Sequence, residues 1–228
     1  TLLPASQPHR ADEGAAQTSI SLLQIVQRSG FFLFIAQFCL HTCAVSAAIY
    51  LFPLWVADGH GWQAREVGLF FGLVGVVMIV TQGNVLGRMT DRFGNVGVLR
   101  GAALVFSLSL LLSGWASGIW VMSLVGLCAF SSATLCLPIL NTIASHLVAP
   151  SWRGQFFGMT ASSSAIGRVL GPLMAAALLA HSGFGAAWTG MGMLVSLIVI
   201  WSLTDGARLE FAATQGAPEP PQPLGSGP

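Results

Sequence analysis

Arg168 is the residue with the clearest chemical potential, because it places a permanent charge inside a long apolar stretch. It follows Gly154 by fourteen residues, which corresponds to roughly 21 Å along an α-helix. If that helix crosses a membrane, a guanidinium at its centre costs at least ~2.5 kcal/mol and normally faces protein or water. Glu66 and Asp91 lie at the ends of other apolar stretches and offer no partner there. We therefore expect Arg168 to contact a carbonyl or hydroxyl, another polypeptide segment or an anionic ligand.

Two further apolar stretches carry uncharged polar side chains on one helical face. Gln37 and His41 are four residues apart, and Ser131, Thr134 and Asn141 share a stripe on a later stretch. We expect these five side chains to line a cavity. His41 could carry a proton, since imidazole titrates near neutral pH, or could hydrogen-bond a backbone carbonyl across a helix pair. The structural role is the more common of the two.

Enzymatic chemistry finds little support in the sequence. No metal or other cofactor is expected, because ligands at suitable spacing are missing around the cysteines, Cys39, Cys43, Cys128 and Cys136. The Gly-x4-Gly-Lys-Ser/Thr pattern of a nucleotide-binding loop does not occur. An intramembrane serine protease would pair a serine with a histidine from another helix, and Ser131-Ser132 lacks a glycine–serine nucleophile pattern. We therefore expect a protein that is not an enzyme.

The composition places this chain in a lipid bilayer. Of its 228 residues, 54% are hydrophobic and 7% are charged, with a mean hydropathy of +0.75. An ordinary soluble domain is about 25% charged. Nine basic and eight acidic residues leave no basic patch, so no nucleic-acid partner is expected.

Six apolar stretches come close to the length needed to cross about 30 Å of hydrocarbon. They lie at 31–54, 67–86, 101–115, 119–143, 154–180 and 186–203. The sequence thus predicts an all-α membrane protein with a bundle of six transmembrane helices over residues 31–204. The polar segment 1–30 is predicted to be a cytoplasmic connector, and the Pro- and Gly-rich segment 205–228 a disordered cytoplasmic tail. Because the chain begins at Thr1, we expect it to be part of a longer protein.

The loop between the second and third apolar stretches has the sequence GRMTDRFG, at positions 87–94. Gly87 and Gly94 permit a tight turn. Asp91 and Arg92 could pair with helix ends or an opposing segment while a cytoplasmic gate is shut, and separate when it opens. Alternatively, the loop is a basic segment that only sets topology. We prefer the gate, because an aspartate does not help to set topology.

The fifth apolar stretch contains a pattern of small residues followed by a proline: Gly158, Gly167, Gly171 and Pro172. Small residues three or four apart let membrane helices pack at backbone distance, and the proline bends its helix. The pattern therefore predicts a close helix–helix contact.

The glycine–proline pattern and the loop at 87–94 together resemble the major facilitator superfamily of secondary transporters, most closely its drug:proton antiporter branch. The family's loop continues with two basic residues where this chain has Asn95, Val96 and Gly97, and the fourth stretch lacks the arginine that marks the first half of such transporters. The chain therefore resembles the C-terminal half of a twelve-helix transporter.

This resemblance implies a fold and a function. The first and fourth stretches would line a central cavity, the second and fifth would flank the interface between halves, and the third and sixth would face lipid. The expected function is proton-coupled efflux of a small molecule by alternating access, with a missing N-terminal six-helix half as partner. The alternative is a non-transporting or degenerate half that acts only as an assembly module.

The arginines predict the orientation of the chain in the membrane. One side holds Arg65 alone, and the opposite side holds seven: Arg10, Arg28, Arg88, Arg92, Arg100, Arg153 and Arg208. Because cytoplasmic segments carry the excess of basic residues, both termini are predicted to be cytoplasmic. The use of arginine to the exclusion of lysine favours a GC-rich bacterium, and hence a bacterial inner membrane.

Cysteine labelling checks this orientation. Single cysteines replace His60 or Gly94 in a background that lacks the native cysteines. We expect a membrane-impermeant thiol reagent to label position 60 from outside the cell and position 94 only from inside. The reverse pattern would contradict both the orientation and the assignment of the loop.

Overall fold

The computed structural model describes the backbone of residues 31–148 and 153–214. Side chains are described for 32–146, 148 and 153–204. The predicted connector at 1–30 and the end of the predicted tail, 215–228, lie outside the described residues. The chain divides into two units after Phe34, and the contacts below belong to the second unit.

The described residues are helical except at short connections. These are α1 (Phe31–His60), α2 (Ala64–Val80), a π-helical turn (Thr81–Val85), α3 (Leu86–Ser113), α4 (Ile119–Leu147) and α5 (Arg153–Thr214). The prediction of an all-α membrane fold is confirmed. In the part described, four helical stretches are long and apolar enough to cross a membrane: Phe32–His60, Ala64–Ser113, Ile119–His146 and Arg153–Thr204. The predicted count of six crossings is not confirmed by this number. The end of α5 at Thr214 also lies beyond the predicted start of the tail at 205.

Two of these stretches contain a glycine whose backbone is not helical. Gly94 in α3 has φ 71° and ψ 165°, and Gly183 in α5 has φ 77° and ψ −178°. Positive φ is strained for residues with a Cβ and readily adopted by glycine. Each glycine therefore marks a kink at which two helices meet.

Helices α1 and α5 approach each other at backbone distance. A Cβ atom on Gly167 would meet the carbonyl oxygen of Cys39 and the hydroxyl of Thr42, and one on Gly171 would meet the carbonyl oxygen of Cys43. By contrast, a Cβ on Gly158 would meet nothing within 4 Å. In the predicted packing motif, Gly167 and Gly171 thus contact another helix of the described chain, whereas Gly158 does not.

Hydroxyl groups tie the same pair of helices together. The Oγ1 of Thr42 shares its proton between the Phe38 carbonyl of its own helix at 2.7 Å and the Ser164 carbonyl of α5 at 3.1 Å. The Oγ of Ser163 donates to the Ile35 carbonyl at 3.0 Å. Such bonds form easily here because the small residues bring one backbone within reach of the other helix's hydroxyls. The position of α1 is therefore fixed by α5.

The parts of α3 and α5 that follow the kinks pack on each other. The Oγ of Ser107 donates to the Gly192 carbonyl at 3.0 Å, and the Nε of Arg100 donates to the Ser202 carbonyl at 3.0 Å. The Ser107 bond lies within the helix pair and the Arg100 bond lies near its end, so hydrogen bonds join the two segments at both places.

Substitution of Gly167 by alanine tests the α1–α5 contact. The added methyl group collides with the backbone of α1, so we expect Gly167→Ala to lower the stability of the purified protein by about 1–3 kcal/mol. Thermal unfolding in detergent measures the effect.

Gly158→Ala is the matched control in the same helix, because position 158 is open. Its melting temperature should stay the same or rise slightly, since alanine favours a helix over glycine. Equal melting temperatures for the two variants would show that the contact does not determine stability.

Candidate ligand cavity

A cavity of about 480 Å³ lies between α1, α2, the π-turn and α4. Its volume is in the range of small-molecule sites. The residues that line it are His41, Val45, Ile49, Phe71, Val74, Met78, Gln82, Phe130, Ala133, Thr134, Leu137 and Pro138. The wall is apolar except at three side chains, and none of these described lining residues carries an acidic group or an arginine.

Aromatic residues from three helices form a cluster beside the cavity, and two of its rings line the wall. Phe71 of α2 and Phe130 of α4 line the cavity with their ring centroids 5.2 Å apart, in an edge-to-face arrangement. Behind them, Phe52 of α1 stacks on Phe70 at 4.3 Å. This cluster holds the two lining rings in fixed orientations.

His41 is the most buried polar residue of the wall. It is 3% exposed, and its imidazole makes no hydrogen bond with any described residue. Its ring meets that of Phe106 edge-on, with 6.1 Å between centroids. A buried polar group without a partner costs about 1–3 kcal/mol, so the imidazole is poised to bind something outside the described contacts.

Gln82 and Thr134 form a bridge across the cavity wall. The Nε2 of Gln82 donates to the main-chain carbonyl of Thr134 at 3.1 Å, and the Oγ1 of Thr134 donates to the Ser131 carbonyl at 2.8 Å. Gln82 belongs to the π-turn, in which the Leu86 N–H bonds to the Thr81 carbonyl, five residues back. π-turns interrupt helices frequently at functional sites.

The five predicted cavity residues do not all meet. His41 and Thr134 line the cavity. Gln37 and Ser131 lie outside its wall, and each has a buried side-chain oxygen without a hydrogen bond among the described residues. Asn141 is exposed and does not line the cavity.

Gln82 is a lining residue that the sequence analysis did not include. One signal was present, because an amide inside an apolar stretch is unusual and Gln82 stands in the polar run Thr81-Gln82-Gly83-Asn84. The helical face on which Gln82 lies depends on the π-turn, which no periodic pattern indicates.

Arg168 lies on the surface of α5 and outside the cavity. Its side chain is exposed and makes no hydrogen bond or ion pair within the part of the chain that the structure describes. Large apolar side chains are exposed around it, including Val169 at 63% and Leu173 at 61%. A charge therefore stands on an apolar face of a membrane helix.

The predicted loop at 87–94 is not a loop, because its residues form the first part of α3 up to the kink at Gly94, and most of them are exposed. Asp91 and Arg92 both face away from the protein, and the Arg92 guanidinium lies 5.5 Å from the ring centroid of Phe93. Asp91 has no ion-pair partner among the described residues. Gly87 is helical and open, whereas Gly94 supplies the kink.

Comparison with known proteins gives consistent results. Residues 33–225 match the family described as Major Facilitator Superfamily. The chain is 29% identical over 164 residues to human solute carrier family 67 member A1, covering 70% of this chain and 38% of that protein. It is 27% identical over 168 residues to the class C tetracycline resistance protein of Escherichia coli, covering 71% and 42%.

A solved structure has the same fold. The human organic anion transporter MFSD10 (TETRAN) superimposes with a TM-score of 0.69 at 24% identity, over 76% of this chain and 41% of that one. The chain thus spans about two fifths of the length of these proteins. With its long apolar helices and a family match over most of its length, this chain belongs to the Major Facilitator Superfamily of transporters and is a multi-pass membrane protein.

Proposed function

We propose that this chain is the C-terminal six-helix half of a proton-coupled exporter that moves a small molecule by alternating access. The observation that carries the proposal is the cavity, in which the buried imidazole of His41 faces an apolar wall without a hydrogen-bond partner among the described residues. The likeness to a tetracycline resistance protein supports export. The share of each relative that the chain covers supports a half.

The kinks support six crossings. The stretch Ala64–Ser113 has 50 residues, which would extend roughly 75 Å as one straight helix. A bilayer core is about 30 Å thick, so two crossings joined at Gly94 fit this length. The same argument divides Arg153–Thr204, with its 52 residues, at Gly183. Together with α1 and α4 these segments make six crossings.

Exposed apolar faces support a missing partner half. On α2, Leu69 is 67% and Ile79 is 73% exposed, and on α5 the face around Arg168 is similarly apolar. An N-terminal bundle of six helices would cover these faces and close the cavity. A guanidinium on such a face would then meet a carboxylate of that bundle or an anionic group of the substrate.

The segment 87–94 at the start of α3 supports a gate. Asp91 and Arg92 are exposed just before the kink at Gly94, where they are free to pair with another segment. In alternating access, such pairs form while the cytoplasmic side is closed and break when it opens. The substrate would bind between His41 and Thr134, with a proton as the coupling ion.

A transport assay on the complete protein tests this function. Everted inner-membrane vesicles are energised with a proton gradient and supplied with a panel of fluorescent substrates of resistance exporters. We expect gradient-dependent uptake that Asp91→Asn slows severalfold, because the neutral amide no longer forms the charge pair of the closed gate.

Asp58→Asn is the control, because Asp58 is an exposed carboxylate near the C-terminal end of α1, a different helix from the one that carries Asp91. It should transport like the wild type, and both variants should insert normally. Gradient-independent uptake would exclude proton coupling. Lack of any uptake would favour the alternative, a non-transporting assembly module. Normal transport by Asp91→Asn would reduce the loop to a topology signal.

Arg168 gives a second prediction for the complete transporter. Arg168→Ala should abolish transport if the guanidinium pairs with a carboxylate or an anionic substrate. Arg168→Lys should rescue it only in part, since lysine keeps the charge but loses the bidentate geometry. Initial rates and melting temperatures are measured for both variants.

Val169→Ala is the control, because it shortens an exposed side chain next to Arg168 without removing a charge. This variant should transport normally. If Arg168→Gln keeps much of the activity while Arg168→Ala loses mainly thermal stability, the arginine only binds carbonyl groups. Full transport with unchanged stability in Arg168→Ala would contradict any role for the charge.

A further inference from the structure

Two hydrogen-bond donors on the α4 side of the cavity are already in use, one N–H of Gln82 and the hydroxyl of Thr134. The amide nitrogen of Gln82 bonds to the Thr134 carbonyl, and the hydroxyl proton of Thr134 bonds to the Ser131 carbonyl. Because a carbonyl can only accept, it is the nitrogen of the Gln82 amide that must face Thr134. The amide oxygen of Gln82 is therefore left as an acceptor for the cavity, together with the second N–H of the amide and the remaining lone pair of the Thr134 hydroxyl.

These oxygens accept hydrogen bonds but cannot offer one. The Gln82 oxygen accepts no hydrogen bond from any described residue, although its side chain lines the cavity. The donors left in the wall are the second N–H of the Gln82 amide and the one N–H of a neutral His41, which also presents one acceptor nitrogen. Acceptors thus outnumber donors in the polar part of the wall.

The rest of the wall indicates the kind of group that carries the donor. Phe71 and Phe130 are packed edge to face, and a flat ligand ring could stack on one of them or meet its edge. Among the described lining residues there is no carboxylate to neutralise an ammonium group, and an unpaired charge in such a wall is costly. A neutral aromatic N–H fits better than a cation.

We propose that Gln82, aimed by the π-turn, selects substrates in which an uncharged aromatic ring system donates a hydrogen bond from a ring N–H to its amide oxygen. This inference rests on the proposed function, because it assumes that the cavity is the substrate site. It adds the class of ligand group and the residue that distinguishes it.

Carbazole and fluorene test the proposal, because these flat three-ring molecules are nearly identical in shape and differ by an N–H in place of a CH₂. Binding to the purified complete protein is measured by equilibrium dialysis, with protein-free micelles as the blank. We expect the wild type to bind carbazole about threefold to tenfold more tightly than fluorene, as one net hydrogen bond implies. Gln82→Leu should remove this preference and leave fluorene binding unchanged.

Thr81→Val is the matched control in the same π-turn. The Thr81 hydroxyl bonds to the Val77 carbonyl within its own helix, and Thr81 does not line the cavity. This variant should keep the preference for carbazole. Fluorene binding reports whether each variant retains the cavity. If Gln82→Leu no longer binds fluorene, Gln82→Met takes its place, because methionine keeps the length of the side chain.

The outcomes separate this inference from the proposed function. Equal binding of carbazole and fluorene by the wild type, or a preference that survives in the Gln82 variant, overturns the role of Gln82 and leaves the cavity as a binding site. Failure of both compounds to bind overturns the role of Gln82 and the assignment of the cavity together.

Discussion

The close approach of α1 and α5 is the contact on which the rest of the structure depends. Gly167 and Gly171 let the α5 backbone reach the carbonyl groups of α1, and the hydroxyls of Thr42 and Ser163 then bond across the pair. Lipid chains are as apolar as leucine, so this kind of packing, rather than the hydrophobic effect, holds membrane helices together. With α1 fixed in this way, the face that carries His41 is turned into the bundle, where it forms one wall of the cavity.

The helices that form the cavity carry buried polar atoms without a partner, and burying them costs free energy. Three polar side chains on α1 and α4, Gln37, His41 and Ser131, each have a buried atom without a hydrogen bond among the described residues. Burying a polar atom without a partner in hydrocarbon surroundings lowers the stability of the fold. A bundle selected only for stability would have apolar side chains at these positions. Their presence in helices with a largely apolar cavity wall is the physical reason why we propose that this part of the bundle binds a ligand.

The two kinks and the π-turn give the long apolar segments their local irregularities. Gly94 and Gly183 redirect the backbone where the chain would otherwise continue as one helix. The π-turn at Thr81–Val85 instead keeps the helix continuous and changes which side of it faces α4. In our proposal the glycine kinks set how many times the chain crosses the membrane. The π-turn sets which side chain reaches the cavity.

The sequence by itself determined the class of protein, the position of most helices and the faces that carry polar groups, because composition and the 3.6-residue period are local properties. His41 and Thr134 were found in this way. Only the tertiary structure decided which neighbour covers each face: Gly167 meets α1 while Gly158 stays open, and Asn141 shares a stripe with Thr134 yet lies outside the cavity. A period indicates the side of a helix but not what packs against it. Gln82 shows the same limit, since one π-turn changes the face of a helix without any change in its apolar pattern.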